Sequence, residues 1–328
     1  MNAGILGIGS YVPDRVVPNA ALERATGLSD AWVRERLGIE QRRHCGVGED
    51  VTTMAAKALL DACKKVGIAP CEIDALVTST TTPGRLMPGL GSDLIAAVGL
   101  DLRMAPVDVV GAGCAGAVQI LQLGESLVRS GAGTVAVVQS EANSTLMDFD
   151  NIGPGEGLAL AATIFSDGAC CWLLRQCREG TGLLYGSSRT DPAGYEGLAL
   201  TGQDLHGFTM DAQAVKAFAT SRVPALIRDL EAGSGITVGQ ADLVLLHQAN
   251  LRLIENVLAA LDVPAEKSCT TVQDLGNTVS ASVGLTAARA IDTGLLVPGT
   301  TVFLAAFGAG WTTAGSVLRW CDGTDFVD

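Results

Sequence analysis

The sequence predicts an α/β protein made of two similar halves, spanning about residues 1–175 and 176–328. Three observations carry that expectation. Short apolar runs bounded by Gly, Pro, Asp or Ser alternate with longer stretches that place apolar residues at three-to-four spacing, as strands alternating with helices do. Forty glycines accompany few aromatics (4%), which suits tight turns and closely packed backbone. A short internal echo also divides the chain. Ile164–Arg175 and Phe307–Trp320 each pass from a glycine-containing turn into an apolar strand that ends on Leu-Leu-Arg or Val-Leu-Arg-Trp.

Taken in order, Met54–Val66 reads as a helix, and Ala75–Thr80 and Pro106–Val110 read as strands. Ala117–Arg129 is the next amphipathic helix, followed by a strand at Thr134–Ser140. In the second half, Leu183–Ser187, Asp242–Leu246 and Thr301–Ala306 read as strands, and Ala212–Leu230 and Leu251–Leu261 as helices. This alternation predicts parallel sheets covered on both faces. Asn151–Gly157 holds three glycines and a proline in seven residues and reads as an irregular surface loop, either a connector or a lid.

Bulk properties exclude several classes. With 328 residues, 48% hydrophobic and 17% charged, the chain can bury a large core. A net charge of −13 repels nucleic acid, and no basic stripe with interleaved aromatics offsets it. No apolar run approaches the roughly 20 residues of a membrane span, and Met1–Pro13 lacks the features of a secretory signal. The expectation is a soluble, cytoplasmic protein without a membrane partner. Nine cysteines at irregular spacing form neither a disulfide framework nor a zinc-ligand pattern, so no metal or cofactor is expected.

Among these cysteines, Cys114 stands apart. It lies in Val109-Val-Gly-Ala-Gly-Cys-Ala-Gly-Ala-Val-Gln-Ile120, after a strand and at the opening of a helix. Unpaired N–H groups and the positive dipole end there are expected to favour thiolate and lower the thiol pKa. A thiolate nucleophile needs partners, and the chain has three histidines. His44, within Arg42-Arg-His-Cys45, reads as solvated, and His206, in a glycine-bounded loop, as a surface residue. His247 directly follows the apolar strand Leu243–Leu246, at the carboxyl end where open α/β sheets place ligands. Asn277, in Leu275-Gly-Asn-Thr-Val-Ser-Ala-Ser282, reads on composition alone as a turn or helix cap.

Three strings taken together carry a resemblance: Gly-Cys-Ala-Gly at 113–116, His-Gln-Ala-Asn-Leu-Arg at 247–252 and Gly-Asn-Thr at 276–278. They are similar to those of the β-ketoacyl-[acyl-carrier-protein] synthase III family in the thiolase superfamily. The intervals agree, with His247 lying 133 residues after Cys114 and Asn277 a further 30 on. Ile5–Pro13 and Ser29–Ile39 resemble the family's N-terminal signature, and Ala306–Thr312 its C-terminal glycine loop, so the likeness covers essentially the whole chain.

The resemblance implies a thiolase fold, two five-stranded α/β halves stacked in an α-β-α-β-α arrangement, in a homodimer. It also implies that Cys114 accepts an acyl group from a coenzyme A or acyl-carrier-protein thioester. A malonyl-type thioester would then lose carbon dioxide and attack the acyl-enzyme, with His247 and Asn277 donating hydrogen bonds to the enolate. The backbone N–H groups of Cys114 and Ala309 would form the oxyanion hole. Residue by residue, Trp32 matches a tryptophan that stacks on the adenine of coenzyme A, and Arg36 an arginine near its phosphates. Arg252 matches a residue implicated in carrier-protein docking, with Lys216 assisting. Met87 falls where the family reaches across the dimer into the partner's acyl pocket.

Departures from the family shape the expected role. Ala117 replaces a phenylalanine three residues after the nucleophile, which suggests a roomier acyl pocket. No match is found for an arginine that clamps adenine from its other face, and loop 151–157 is inserted nearby. Leu28 and Ser166 also replace residues common in housekeeping members. The reading taken is a decarboxylative condensing enzyme of polyketide or other natural-product biosynthesis. The alternatives are a housekeeping fatty-acid initiation synthase, a thiolase-fold acyltransferase that passes its acyl group to an alcohol or amine without condensation, and a non-catalytic relative.

Overall fold

The computed structural model describes residues 1–149, 152, 157–200 and 208–327, with backbone alone at 194–196. Two sheets organise it. The first contains β1 (Asn2–Tyr11), β2 (Ala75–Thr80), β3 (Val107–Val110), β4 (Val135–Glu141) and β5 (Gly168–Cys177), in the spatial order β1-β5-β4-β2-β3. The second contains β6 (Gly182–Thr190), β7 (Leu243–Leu246), β8 (Thr301–Gly308) and β9 (Thr312–Arg319), in the order β6-β9-β8-β7. Both sheets are mixed, which corrects the expectation of parallel sheets. β2 is parallel to β3 and β4, and β7 to β8, while β5 and β9 run antiparallel to both of their neighbours.

The pairing gives the internal echo a structural meaning. Each echoed segment ends in an antiparallel strand, β5 or β9, set between the first strand of its sheet and a parallel pair. The second sheet has four strands among the described residues, not five. At its edge a single bridge between Val244 and Ser268 stands where a further strand would pair.

Helices complete the layers. α1 (Val51–Val66) and α2 (Leu90–Val98) cover the outer face of the first sheet. α3 (Gly116–Arg129) and α6 (Ser282–Asp292) run between the sheets and touch strands of both. α4 (Ala212–Ser234) and α5 (Leu251–Ala260) cover the outer face of the second sheet. Strand alternation explains why the strands read as continuous apolar runs. Val135 and Val137 face the core between the sheets, whereas Ala136 and Val138 pack under α1. In the second sheet Leu243 and Leu245 face inward, and Val244 and Leu246 face the α4–α5 layer.

One residue shows how tightly a layer is set. At Gly9 on β1, a Cβ would lie 2.1 Å from the carbonyl oxygen of Ala58 and 2.2 Å from the nitrogen of Ala62. Those are backbone atoms of α1, which cannot rotate away. Gly9→Ala should therefore destabilise the fold by about 1–3 kcal/mol through overpacking, read as a lower thermal midpoint. An unchanged midpoint would contradict the close seating of α1 on β1.

Candidate active site

Cys114 is set by the end of β3. The chain leaves Val110 and enters a 3-10 turn at Gly113–Ala115 that continues directly into α3. The thiol is 8% exposed. The expected lowering of its pKa does not occur. Burial, and then the negative charge of Glu141, push the thiol up to about 12, although hydrogen bonds from Asn277 and the Cys114 backbone pull the other way. At neutral pH the resting group is therefore a thiol.

His247 continues β7 by one residue, donating its backbone N–H to Ala305 on β8 at 2.8 Å. Burial lowers its pKa to about 3, so the imidazole is neutral. Its Nδ1 lies 2.7 Å from the Ser282 hydroxyl, and its ring meets Phe307 edge-on at 5.7 Å. Gln248 secures the turn behind it, donating to Leu246 at 2.7 Å and accepting from the N–H of Thr271 at 2.8 Å.

Asn277 closes the turn that its composition suggests and also reaches Cys114. Its Oδ1 accepts from the Val279 N–H at 2.8 Å, closing a turn, and its side chain is also hydrogen-bonded to Cys114. With Oδ1 engaged by a donor, the amide nitrogen is the group left to face the sulfur. Its backbone is held from both sides, donating to Ile164 and accepting from Ser166, both at 2.9 Å.

These three side chains meet in one cavity of about 280 Å³. Trp32, Arg36, Lys216 and Arg252 line the same cavity, with Trp32 39% exposed. Its walls include Leu160, Phe165, Leu198, Met210 and Val215. A lining that combines apolar walls with a thiol, an imidazole, an amide and the cations of Arg36, Lys216 and Arg252 suits an acyl chain carried on an anionic handle.

The other expected residues take varied positions. Ala309 follows Gly308, whose missing Cβ would stand 2.8 Å from the Cys114 nitrogen, so the glycine loop is pressed against the nucleophile turn. Met87 is 86% exposed and lines no part of this cavity. Ala117 is fully buried in the core between the sheets, its carbonyl accepts from Gln139 at 3.0 Å, and it is not among the residues lining the cavity. Arg252 is already engaged, donating to the Glu35 carbonyl at 2.9 Å and pairing with Glu255. His44 is not solvated. It is 2% exposed, lies against the tilted ring of Phe149 at 5.1 Å, and has its pKa lowered to about 4 by burial and then by the Arg42 charge. His206 lies outside the described residues, as does loop 151–157 apart from Ile152 and Gly157.

The sequence reading missed a buried carboxylate. Glu141, at the carboxyl end of β4, is fully buried and accepts from the Thr81 N–H at 2.9 Å, the Thr81 hydroxyl at 2.7 Å and the Ser280 hydroxyl. Burial raises its pKa to about 7. An acidic residue closing an apolar strand at its carboxyl end was the available signal. The hydroxyls of Ser280 and Ser282, inside the string that flagged Asn277, were a second. Among the described residues no cluster could hold a metal ion, and no helix is long and apolar enough to cross a membrane.

Two tests follow from this geometry. Ala117→Phe should lower the thermal midpoint by forcing a ring into filled core, at about 1–3 kcal/mol. A retained midpoint with a changed acyl chain-length profile would instead restore Ala117 to the pocket. Glu141→Gln removes the charge that disfavours thiolate while keeping an oxygen to accept from Thr81. The pH profile for alkylation of Cys114, followed by peptide mass spectrometry, should shift to lower pH. An unmoved profile would mean that Glu141 does not act on the sulfur.

Comparison with known proteins places the whole chain. Residues 108–192 match the family described as 3-oxoacyl-[acyl-carrier-protein] synthase III, and residues 232–320 match its C-terminal counterpart. The β-ketoacyl-[acyl-carrier-protein] synthase III of Granulibacter bethesdensis is 32% identical over 96% of this chain and 98% of its own. The crystal structure of 3-oxoacyl-(acyl carrier protein) synthase III from Pseudomonas aeruginosa superposes with a TM-score of 0.89 at 28% identity, covering 100% of both chains. The priming β-ketosynthase of a polyketide biosynthetic pathway superposes with a TM-score of 0.88 at 28% identity, over 98% of this chain and 97% of its own. The chain belongs to the β-ketoacyl-[acyl-carrier-protein] synthase III family, condensing acyltransferases of the thiolase fold.

Proposed function

We propose that this condensing enzyme works by a two-step exchange on Cys114. The sulfur attacks the carbonyl carbon of an acyl thioester, on coenzyme A or a carrier protein. The new C–S bond forms as the old one breaks, and the thiol proton leaves with the departing thiol. A malonyl-type thioester then loses carbon dioxide, and the electron pair of the broken C–C bond becomes an enolate. That carbon attacks the acyl carbonyl, and Cys114 leaves as thiolate. The observation that carries this reading is the convergence of Cys114, His247 and Asn277, from three separate elements, in one cavity that also holds Trp32, Arg36 and Lys216.

Each group has a matching task. Neutral His247 and the Asn277 amide donate to the thioester oxygen that gains charge during decarboxylation. The N–H groups of Cys114 and Ala309 receive the oxyanion of the acyl-transfer step. Trp32 stacks on the adenine of coenzyme A and Arg36 meets its phosphates. Lys216 and Arg36 are exposed cations beside the cavity, suited to an acidic carrier protein despite the −13 net charge. Arg252 contributes to docking only as far as its bond to Glu255 releases it.

The pathway reading is a specialised, natural-product role, supported by the absent arginine clamp and by the likeness to a polyketide priming ketosynthase. Ala117 no longer supports it, since that residue lies in the core. Fatty-acid initiation is the second reading, favoured by relatives such as that of Granulibacter bethesdensis. A homodimer fits the first sheet's open edge, where Val110 on β3 is 54% exposed beside a region carrying exposed Leu86 and Met87. Met87 would reach the partner's cavity across that edge.

Intact-mass spectrometry with a panel of acyl thioesters, together with carbon dioxide release from malonyl thioesters, tests the scheme. Cys114→Ala should gain no acyl mass. His247→Ala and Asn277→Ala should lose about 10²–10³ in decarboxylation, the usual loss for one such donor, and much less in acylation. Acyl transfer to an alcohol or amine without carbon dioxide release would replace condensation with simple acyl transfer.

A further inference from the structure

The hydroxyl of Ser282 is buried, 1% exposed, at the start of α6. It has two neighbours in hydrogen-bonding range: the backbone N–H of Gln248 at 3.5 Å and Nδ1 of His247 at 2.7 Å. The first can only donate. Among the described residues, the hydroxyl proton then has one acceptor within hydrogen-bonding range, the Nδ1 lone pair. A neutral imidazole carries a single ring proton, so an accepting Nδ1 places that proton on Nε2. His247 lines the cavity with Cys114 and Asn277, so Nε2–H is the donor available to a bound thioester.

We infer that Ser282 is a positioning residue that holds His247 in its Nε2–H tautomer through the relay Gln248 N–H to Ser282 O–H to His247 Nδ1. The inference rests on the condensing mechanism proposed for this site and adds the group that selects its donor. The relay joins α6 to the end of β7, so the packing of the central helix layer sets the protonation of the ring. Phe307 against the ring edge and the Gln248 clamp hold the plane, but neither can choose between the two nitrogens. Without the hydroxyl, both tautomers become available, and the one protonated on Nδ1 offers the substrate oxygen a lone pair.

Three histidines make the tautomer directly readable. In protein labelled with ¹⁵N-histidine at neutral pH, the His247 signals, assigned by their loss in His247→Gln, should show a protonated Nε2 and an unprotonated Nδ1. Ser282→Ala should give a mixture of the two forms. Its malonyl decarboxylation should fall by about 10-fold to 100-fold, since misplaced catalytic groups cost up to that much, while acylation of Cys114 changes little. Ser282→Thr, which keeps the hydroxyl, should restore both. A wild-type proton on Nδ1 would overturn the inference, as would a Ser282→Ala protein that keeps one Nε2–H form and full decarboxylation. If Ser282→Ala does not fold, the wild-type spectrum and Ser282→Thr decide. A wild-type protein that holds the Nε2–H form yet releases no carbon dioxide would sink the condensing mechanism and leave the tautomer assignment standing.

Discussion

The end of β8 meets the Cys114 turn with no side chain between them. A Cβ on Gly308 would stand 2.8 Å from the Cys114 nitrogen, 2.9 Å from that of Ala115 and 3.1 Å from the Cys114 Cβ. Only a residue without a side chain permits that approach, although its extended backbone is open to any residue. Through this contact the second sheet, which carries His247 at the end of the neighbouring strand β7, is brought onto the nucleophile that the first sheet presents. Asn277 enters from the segment before α6, bridged to Phe165 in the first half. Loosening the β8 contact would separate the groups whose chemistry depends on being together.

Bringing them together also removes them from water, and this decides their protonation. Desolvation disfavours every charged form, so the thiol stays protonated, the imidazole neutral and the Glu141 carboxyl raised to about 7. Burial, and then the Glu141 charge, raise the Cys114 thiol despite its place at the start of a helix. A neutral donor pair is what a developing enolate oxygen needs, since a fixed positive charge would add a large desolvation penalty of its own. The site is consequently organised by hydrogen bonds, with hydroxyls from Thr81, Ser280 and Ser282 orienting the groups behind it.

Much of this was legible in the chain itself. Strand β2 coincides with the expected Ala75–Thr80, and each expected helix shares one end with α1, α3, α4 or α5 and comes within four residues of it at the other. Apolar periodicity is a local property, so it survives translation into structure. Cys114 and His247 stood out because each lies at a strand end or turn, Asn277 only through the family resemblance, and the three line one cavity. Strand direction was misjudged at β9, which returns after only residues 309–311, as a short connection requires, and at β5, which returns antiparallel after the longer segment 142–167. Ala117 and His44 were misplaced because residue type and neighbours in sequence do not say which face of a helix or strand is covered.

The sequence by itself therefore determined the α/β class, since this follows from periodicity, and it marked Cys114 and His247 at strand ends through local turn chemistry. Only the tertiary structure decided that Cys114 rests as a thiol, that Ala117 belongs to the core, and that Arg252 is held by Glu35 and Glu255. It alone also set Glu141 and Ser282 behind the reacting groups. Protonation and hydrogen-bond partnership depend on distance and exclusion from water, and residues 133 apart along a chain acquire both only when the sheets close on one another.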